Sequence, residues 1–133
     1  MKYVLDTNIV TAIMKKDEKV IQKIENILQD GKIIFINAIS YYEIKRGLLA
    51  ANAYKKLSCF EKVCKIFSIT LLDNIIILDK ASEIYADLKK NGNLIEDADI
   101  LIASIAMFND CILVSDDSHF KRIQNLQLEN WLN

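Results

Sequence analysis

Short apolar runs recur along this chain, separated by stretches too long to be hairpins. Tyr3-Val4-Leu5, Ile33-Ile34-Phe35-Ile36, Ile75-Ile76-Ile77-Leu78 and Cys111-Ile112-Leu113-Val114 are each bounded by polar residues. Runs this short and rich in β-branched residues read as buried strands. The segments between them carry helical spacing instead. Val20, Ile21, Ile24, Ile27 and Leu28 form an apolar stripe over residues 18–29, ended by Asp30-Gly31. Ser40 reads as the start of a helix that passes through Glu43 to about Ala51, and Leu57, Phe60, Val63, Cys64 and Phe67 mark the buried face of the next. Residues 79–90 place Ala81, Ile84, Tyr85 and Leu88 inward and close on Asn91-Gly92, while Ala98–Phe108 is apolar nearly all round. Leu126-Gln127-Leu128 reads as a weak final edge strand. Strands alternating with helices require crossover connections, which are right-handed and give a mostly parallel sheet with helices on both faces. The expected architecture is a three-layer α/β/α domain, and with no repeat or linker the expected extent is one domain over 1–133.

Composition removes several function classes. The chain has 133 residues, with 17 basic against 18 acidic side chains and a net charge of −1. That balance excludes a strongly basic nucleic-acid coat and a polybasic membrane binder, though a local basic patch remains possible. Cys59, Cys64 and Cys111 form no CxxC and cannot all pair, which points to a reducing compartment and thiols in the core. No apolar run approaches a membrane span, and the N-terminus lacks a signal-peptide pattern, so a cytoplasmic location is expected. The single histidine, His119, excludes chemistry that needs two imidazoles. Three scattered glycines, Gly31, Gly47 and Gly92, exclude a phosphate-cradling Gly-rich loop. Chemistry on phosphate would therefore fall to carboxylates and a metal.

The acids fall where such chemistry needs them. Asp6 follows the first apolar run and Asp116-Asp117 follows Cys111–Val114. Glu43 and Asp99 lie in the first turns of their helices. In an open parallel sheet the carboxyl ends of the strands and the starts of the following helices share one edge, where ligands bind. Each acid also has a structural reading, which taken singly is the better one. Asp6 can cap a helix, Ser40 and Glu43 match a capping box, Asp99 with Glu96 and Asp97 can complement a helix dipole, and Asp116-Asp117 can be a turn. Taken together, crowded carboxylates raise one another's pKa values unless a cation neutralises them. An all-oxygen donor set suits Mg²⁺ or Mn²⁺ rather than zinc. The reaction best served is hydrolysis of a phosphodiester.

Four ordered blocks resemble the signatures of PIN-domain nucleases, most closely the VapC-like toxins of toxin–antitoxin pairs. They are Leu5-Asp6-Thr7-Asn8, Ile39 to Leu48 around Glu43, Asp97 to Ser104 around Asp99, and Leu113 to Phe120 around Asp116-Asp117. The closing Leu126–Trp131 segment resembles the tail of the same family. The resemblance implies a Mg²⁺-dependent endoribonuclease, with Mn²⁺ a possible substitute, acting on RNA and held inactive by a cognate antitoxin. It further implies a homodimer. Carried over, Asp6 and Asp99 become the principal metal ligands, Glu43 the third acid and Asp117 the fourth. The doublet leaves Asp116 an alternative to Asp117, and Asp97 competes with Asp99, which immediately precedes the Ile-Leu-Ile-Ala run.

Thr7 and Ser115 are candidate hydroxyl partners of the carboxylates, and Asn8 is either a site amide or a helix cap. Lys45 and Arg46 either contact RNA phosphates or form a solvated helix face. His119 reads as a surface or packing residue. Tyr41, Tyr42 and Tyr54 could serve a protein interface or the core. The competing functional reading is a non-catalytic PIN-fold module that binds RNA or protein. A haloacid-dehalogenase-like phosphatase would need a second Asp two residues after Asp6, where this chain has Asn8.

Overall fold

The central strand, Lys2–Leu5 (β1), is the axis of a five-stranded sheet in a computed structural model that describes residues 1–133. Ile33–Asn37 (β2) pairs on one side of it with Leu5 opposite Ile36, and Cys111–Val114 pairs on the other with Leu5 opposite Val114. Ser68–Thr70 (β3) extends the sheet beyond β2. With Cys111–Val114 as β4, the two-residue Leu128–Glu129 (β5) closes the other edge. The order is β3-β2-β1-β4-β5 and every pairing is parallel. The order reverses between β2 and β4 around β1, so the switch-point crevice opens beside the carboxyl end of β1.

Six helices cover both faces: Thr7–Met14 (α1), Glu18–Gln29 (α2), Ala38–Ala50 (α3), Tyr54–Ile66 (α4), Ile75–Lys90 (α5) and Asp97–Phe108 (α6). Alternation along the strands divides the core. Tyr3 and Leu5 of β1 pack with Ile9, Val20, Ile24 and Phe60 on one face. Val4 and Leu113 pack with Ala81, Ile84, Leu88, Ile102 and Phe120 on the other. The expected three-layer α/β/α arrangement is therefore the observed one. The stop predicted at Asp30-Gly31 also holds. Gly31 has φ 74° and donates to the Leu28 carbonyl while Lys32 donates to Ile27, the paired bonds of a left-handed helix end.

Three expectations need correction. Ile75–Leu78 is not a strand but the first turn of α5, so that helix begins four residues before the expected 79. Only Ile77 of the four is buried, while Ile75, Ile76 and Leu78 are 68%, 56% and 40% exposed. Ile77, Ala81, Ile84 and Leu88 form the buried stripe, and Asn74 Oδ1 caps the helix by accepting from the Ile76 N–H at 2.9 Å. The third strand is instead Ser68–Thr70, where the Thr70 hydroxyl also donates to the Ile36 carbonyl at 3.3 Å. Second, α3 opens at Ala38 rather than Ser40, because Asn37 Oδ1 accepts from the Ile39 N–H at 2.8 Å. Third, the final strand is displaced to Leu128–Glu129, and of the three free thiols only Cys111 is fully buried. No helix is long and apolar enough to cross a membrane.

Candidate active site

Asp6 ends β1 and stands at the N-cap of α1, yet its side chain makes no capping bond. Its carboxylate turns into the crevice, 6% exposed, where Oδ1 accepts from the Ser40 hydroxyl at 3.2 Å and Oδ2 from the Ser115 hydroxyl at 2.8 Å. These two serines come from the start of α3 and the end of β4, so three elements meet on one carboxylate. The Ser40–Glu43 capping box, the structural alternative to a site role for Glu43, is absent. Ser40 serves Asp6, and Glu43 Oε1 accepts from the Thr7 hydroxyl at 3.1 Å, tying α3 to α1. With the helix opening at Ala38, Glu43 falls in the second turn of α3 rather than the first.

Asp99 lies in the first turn of α6, with its side chain 18% exposed. Asp117 follows β4 and begins a 3-10 turn over Ser118–Arg122, where its Oδ1 accepts from the His119 N–H at 2.8 Å. The Asp117 N–H donates to Ser115 Oγ at 3.0 Å, so Ser115 fixes both Asp6 and the loop carrying Asp117. A cleft of about 660 Å³ is lined by Asp6, Glu43, Asp99 and Asp117 together with Thr7, Asn8, Lys15 and Asp17. Four acids separated by more than a hundred residues of sequence thus converge as the parallel topology requires.

The electrostatics follow from the crowding. Burial pushes the Asp6 carboxyl above its ordinary range, hydrogen bonds from Ser115, the Thr7 backbone and Ser40 pull it back, and the charge on Asp117 adds to the rise. Asp99 is raised to about 6, first by burial and then by the charges of Asp117, Asp6 and Glu96, with His119 acting in the opposite sense. Lys15 is the one cation among five carboxylates on the cleft wall. Such a donor set fits a hard divalent cation, which would neutralise the repulsion that raises these groups.

Other expected residues separate clearly. Asp116 is exposed and faces the C-terminal segment, its Oδ1 accepting from Asn130 Nδ2 at 2.7 Å; Asp117 is the member of the doublet that reaches the cleft. Asp97 is exposed and lies beside Leu78, Ala81 and Tyr85, away from the acids. Asn8 lines the cleft and is not a cap; its Oδ1 accepts from the Asp116 N–H at 3.2 Å. Lys45 donates to the Tyr41 hydroxyl at 3.1 Å, and Arg46 stacks 5.1 Å from the Tyr42 ring, so neither lines the cleft. Tyr41 packs against Phe60, whereas Tyr42 and Tyr54 are exposed.

Sequence reasoning did not single out Ser40, Asp17 or Lys15 for the site, nor the closeness of His119 to the acids. Lys15, at the C-terminal end of α1, reaches the cleft two turns beyond Asn8, and nothing in the sequence set it apart from its neighbour Lys16. His119 is indeed exposed, but its Nδ1 lies 3.2 Å from Asp117 Oδ1 and 4.0 Å from Asp99 Oδ2. Its position two residues after Asp117 was the available signal.

The chain matches the PIN domain family model over residues 3–126 and belongs to that family. Among curated relatives, ribonuclease VapC2 of Rickettsia felis is 34% identical over 140 residues, covering 98% of both chains. Ribonuclease VapC1 of Haemophilus influenzae is 27% identical over 135 residues, again covering 98% of each. Among solved structures, VapBC2 from Rickettsia felis bound to a promoter DNA fragment superposes with TM-score 0.90 at 28% identity, covering 98% of this chain and 99% of that one. VapBC-1 from nontypeable Haemophilus influenzae gives TM-score 0.87 at 27% identity over the full length of both.

Proposed function

We propose that this chain is a metal-dependent endoribonuclease and the toxin of a toxin–antitoxin pair. The observation that carries the reading is the convergence of Asp6, Glu43, Asp99 and Asp117 on one cleft, in a chain that aligns end to end with ribonucleases of the VapC kind. Asp6 and Asp99 are the principal ligands for Mg²⁺, or Mn²⁺ in its place, with Glu43 and Asp117 completing the acidic wall. Held by these carboxylates, a divalent cation would supply Lewis-acid polarisation of a phosphodiester and neutralise charge on the leaving oxygen. The chain's own residues prepare that cleft. Ser40 and Ser115 fix both oxygens of Asp6, and Thr7 orients Glu43. Lys15, the cleft's one cation, is placed to receive a substrate phosphate.

The structures of VapBC complexes support an antitoxin as the inhibitory partner of this chain. The family resemblance adds a homodimer and a cytoplasmic setting, and exposed Tyr42 and Tyr54 are available to such interfaces. The deciding experiment incubates purified protein with a pool of single-stranded and structured RNA. Cleavage is expected with Mg²⁺, not with excess EDTA, and not with Asp99→Asn. Cleavage that persists equally in EDTA or in the variant would overturn the reading, as would a wild-type protein that neither cuts the pool nor binds Mg²⁺.

A further inference from the structure

His119 stands out because nothing in the fold requires it. It is the chain's single histidine, its side chain is 51% exposed, and it packs into neither core. Yet it is held against the acids. One donor atom from each of Asp99, Asp117 and His119 lies within 4.8 Å of the other two. Nδ1 is 3.2 Å from Asp117 Oδ1 and 4.0 Å from Asp99 Oδ2. In octahedral coordination at about 2.1 Å, adjacent ligands lie about 3 Å apart and opposite ones about 4.2 Å apart. The two separations fall within that pattern. The backbone keeps them there, because the His119 N–H donates to Asp117 Oδ1 at 2.8 Å and fixes the imidazole's starting point relative to that carboxylate.

We infer that His119 supplies a nitrogen ligand to the divalent cation held by Asp99 and Asp117, so that the site accepts a first-row transition ion such as Mn²⁺ more tightly than Mg²⁺. This rests on the metal-site reading above. Imidazole is a softer donor than carboxylate or water and favours first-row ions over Mg²⁺; Mn²⁺, at the weak end of that series, gains least of them, so its response is the most stringent probe. The alternative role for the same geometry is an ion pair, in which a protonated imidazole neutralises Asp99 and Asp117 without any metal. The two roles have opposite consequences. An ion-paired histidine competes with the cation, so its removal leaves metal binding unchanged or improves it; a ligand's removal weakens it.

The test uses the full chain without an affinity tag, because the single histidine then makes any imidazole signal unambiguous. Mn²⁺ is the probe. Electron spin echo spectra of the bound ion should show modulation from a coordinated imidazole nitrogen, absent in His119→Ala. Titration should show Mn²⁺ binding to His119→Ala weakened about tenfold or more, since even outer partners of metal ligands are worth that much. Mg²⁺, followed by competition against Mn²⁺, should change far less. Because the wild-type spectrum is itself decisive, the result does not hang on how the variant folds. Bound Mn²⁺ with no imidazole nitrogen, or a folded His119→Ala that holds Mn²⁺ as tightly as wild type, overturns the ligand role and leaves the acidic metal site standing. No binding of Mn²⁺ or Mg²⁺ by the wild type overturns both.

Discussion

At the scale of single residues, Asp99 carries the clearest cost of the site. Its folded-state pKa of about 6 lies above the ordinary 3.8, so between those values the folded protein holds a proton there that the unfolded chain has released. Stability from this group is therefore fully present below about pH 4 and is lost as pH rises through about 6. Asp99→Asn should make the metal-free protein more stable than wild type at pH 7, by on the order of 2 kcal/mol after allowing for solvent screening. The gain should shrink steadily as pH is lowered toward 4. Urea denaturation of both proteins across that range checks it, and a pH-independent difference would mean that Asp99 is not held in a crowded, buried setting. The gathering of the acids was legible in part: Asp6 from its strand end and Asp99 from its helix start, whereas the preference for Asp99 over Asp97 and Asp117 over Asp116 came with the family resemblance. Ser40 was not legible: a serine three residues before a glutamate satisfies a capping pattern, and only the packed fold reveals that its hydroxyl faces Asp6 instead. Ser115 was named among the candidate hydroxyl partners, and its hydroxyl does donate to Asp6.

At the scale of elements, the instructive case is the start of α5. Three isoleucines and a leucine in succession suggest a strand by composition, and the competing helical signal is spread over Ile77, Ala81, Ile84 and Leu88, reaching ten residues beyond the run itself. Burial separates the two readings, and burial is a property of the partners rather than of the run. The true third strand, Ser68-Ile69-Thr70, is three residues of weak signal that the sheet edge accepts because β2 is already in place. Two substitutions test the assignment. Ile75→Pro puts proline at the first helical position, where no N–H bond is lost, and should change stability by less than about 0.5 kcal/mol. Asn74→Ala removes the cap bond to Ile76 and should cost about 1 kcal/mol. Thermal melts of the pair distinguish helix from strand, since a strand would resent the proline more than the loss of the asparagine.

At the scale of the whole molecule, the fold class was the most legible feature. Alternating strands and helices leave few topologies, and the parallel one brings strand ends and helix starts to one edge even though one of the expected strands, Ile75–Leu78, is helix. The cleft joins residues of α1, α3 and α6 with the loop after β4, so a cation bound there cross-links most of the structure. Mg²⁺ or Mn²⁺ at a hundred times its dissociation constant should stabilise the fold by about 2.7 kcal/mol, read as a rise in melting temperature. Asp6→Asn should abolish the rise. A second expectation concerns assembly: at micromolar concentration the protein should sediment at twice the mass of one chain, and a monomer would remove the homodimer from the reading.

The bond between Ser115 and Asp6 spans 109 residues of chain, and that separation governs timing as well as geometry. During synthesis β1 emerges early and can find β2 soon afterwards, but its second neighbour, β4, is made only when most of the chain already exists. Contacts this distant in sequence form late, because the long loop between them must close first. A nascent chain therefore carries Asp6 without the serine that holds it and without Asp117 beside it. The acidic cleft is complete only once residues 111–117 have been made, so any chain ending before β4 lacks both Asp117 and the serine that fixes Asp6.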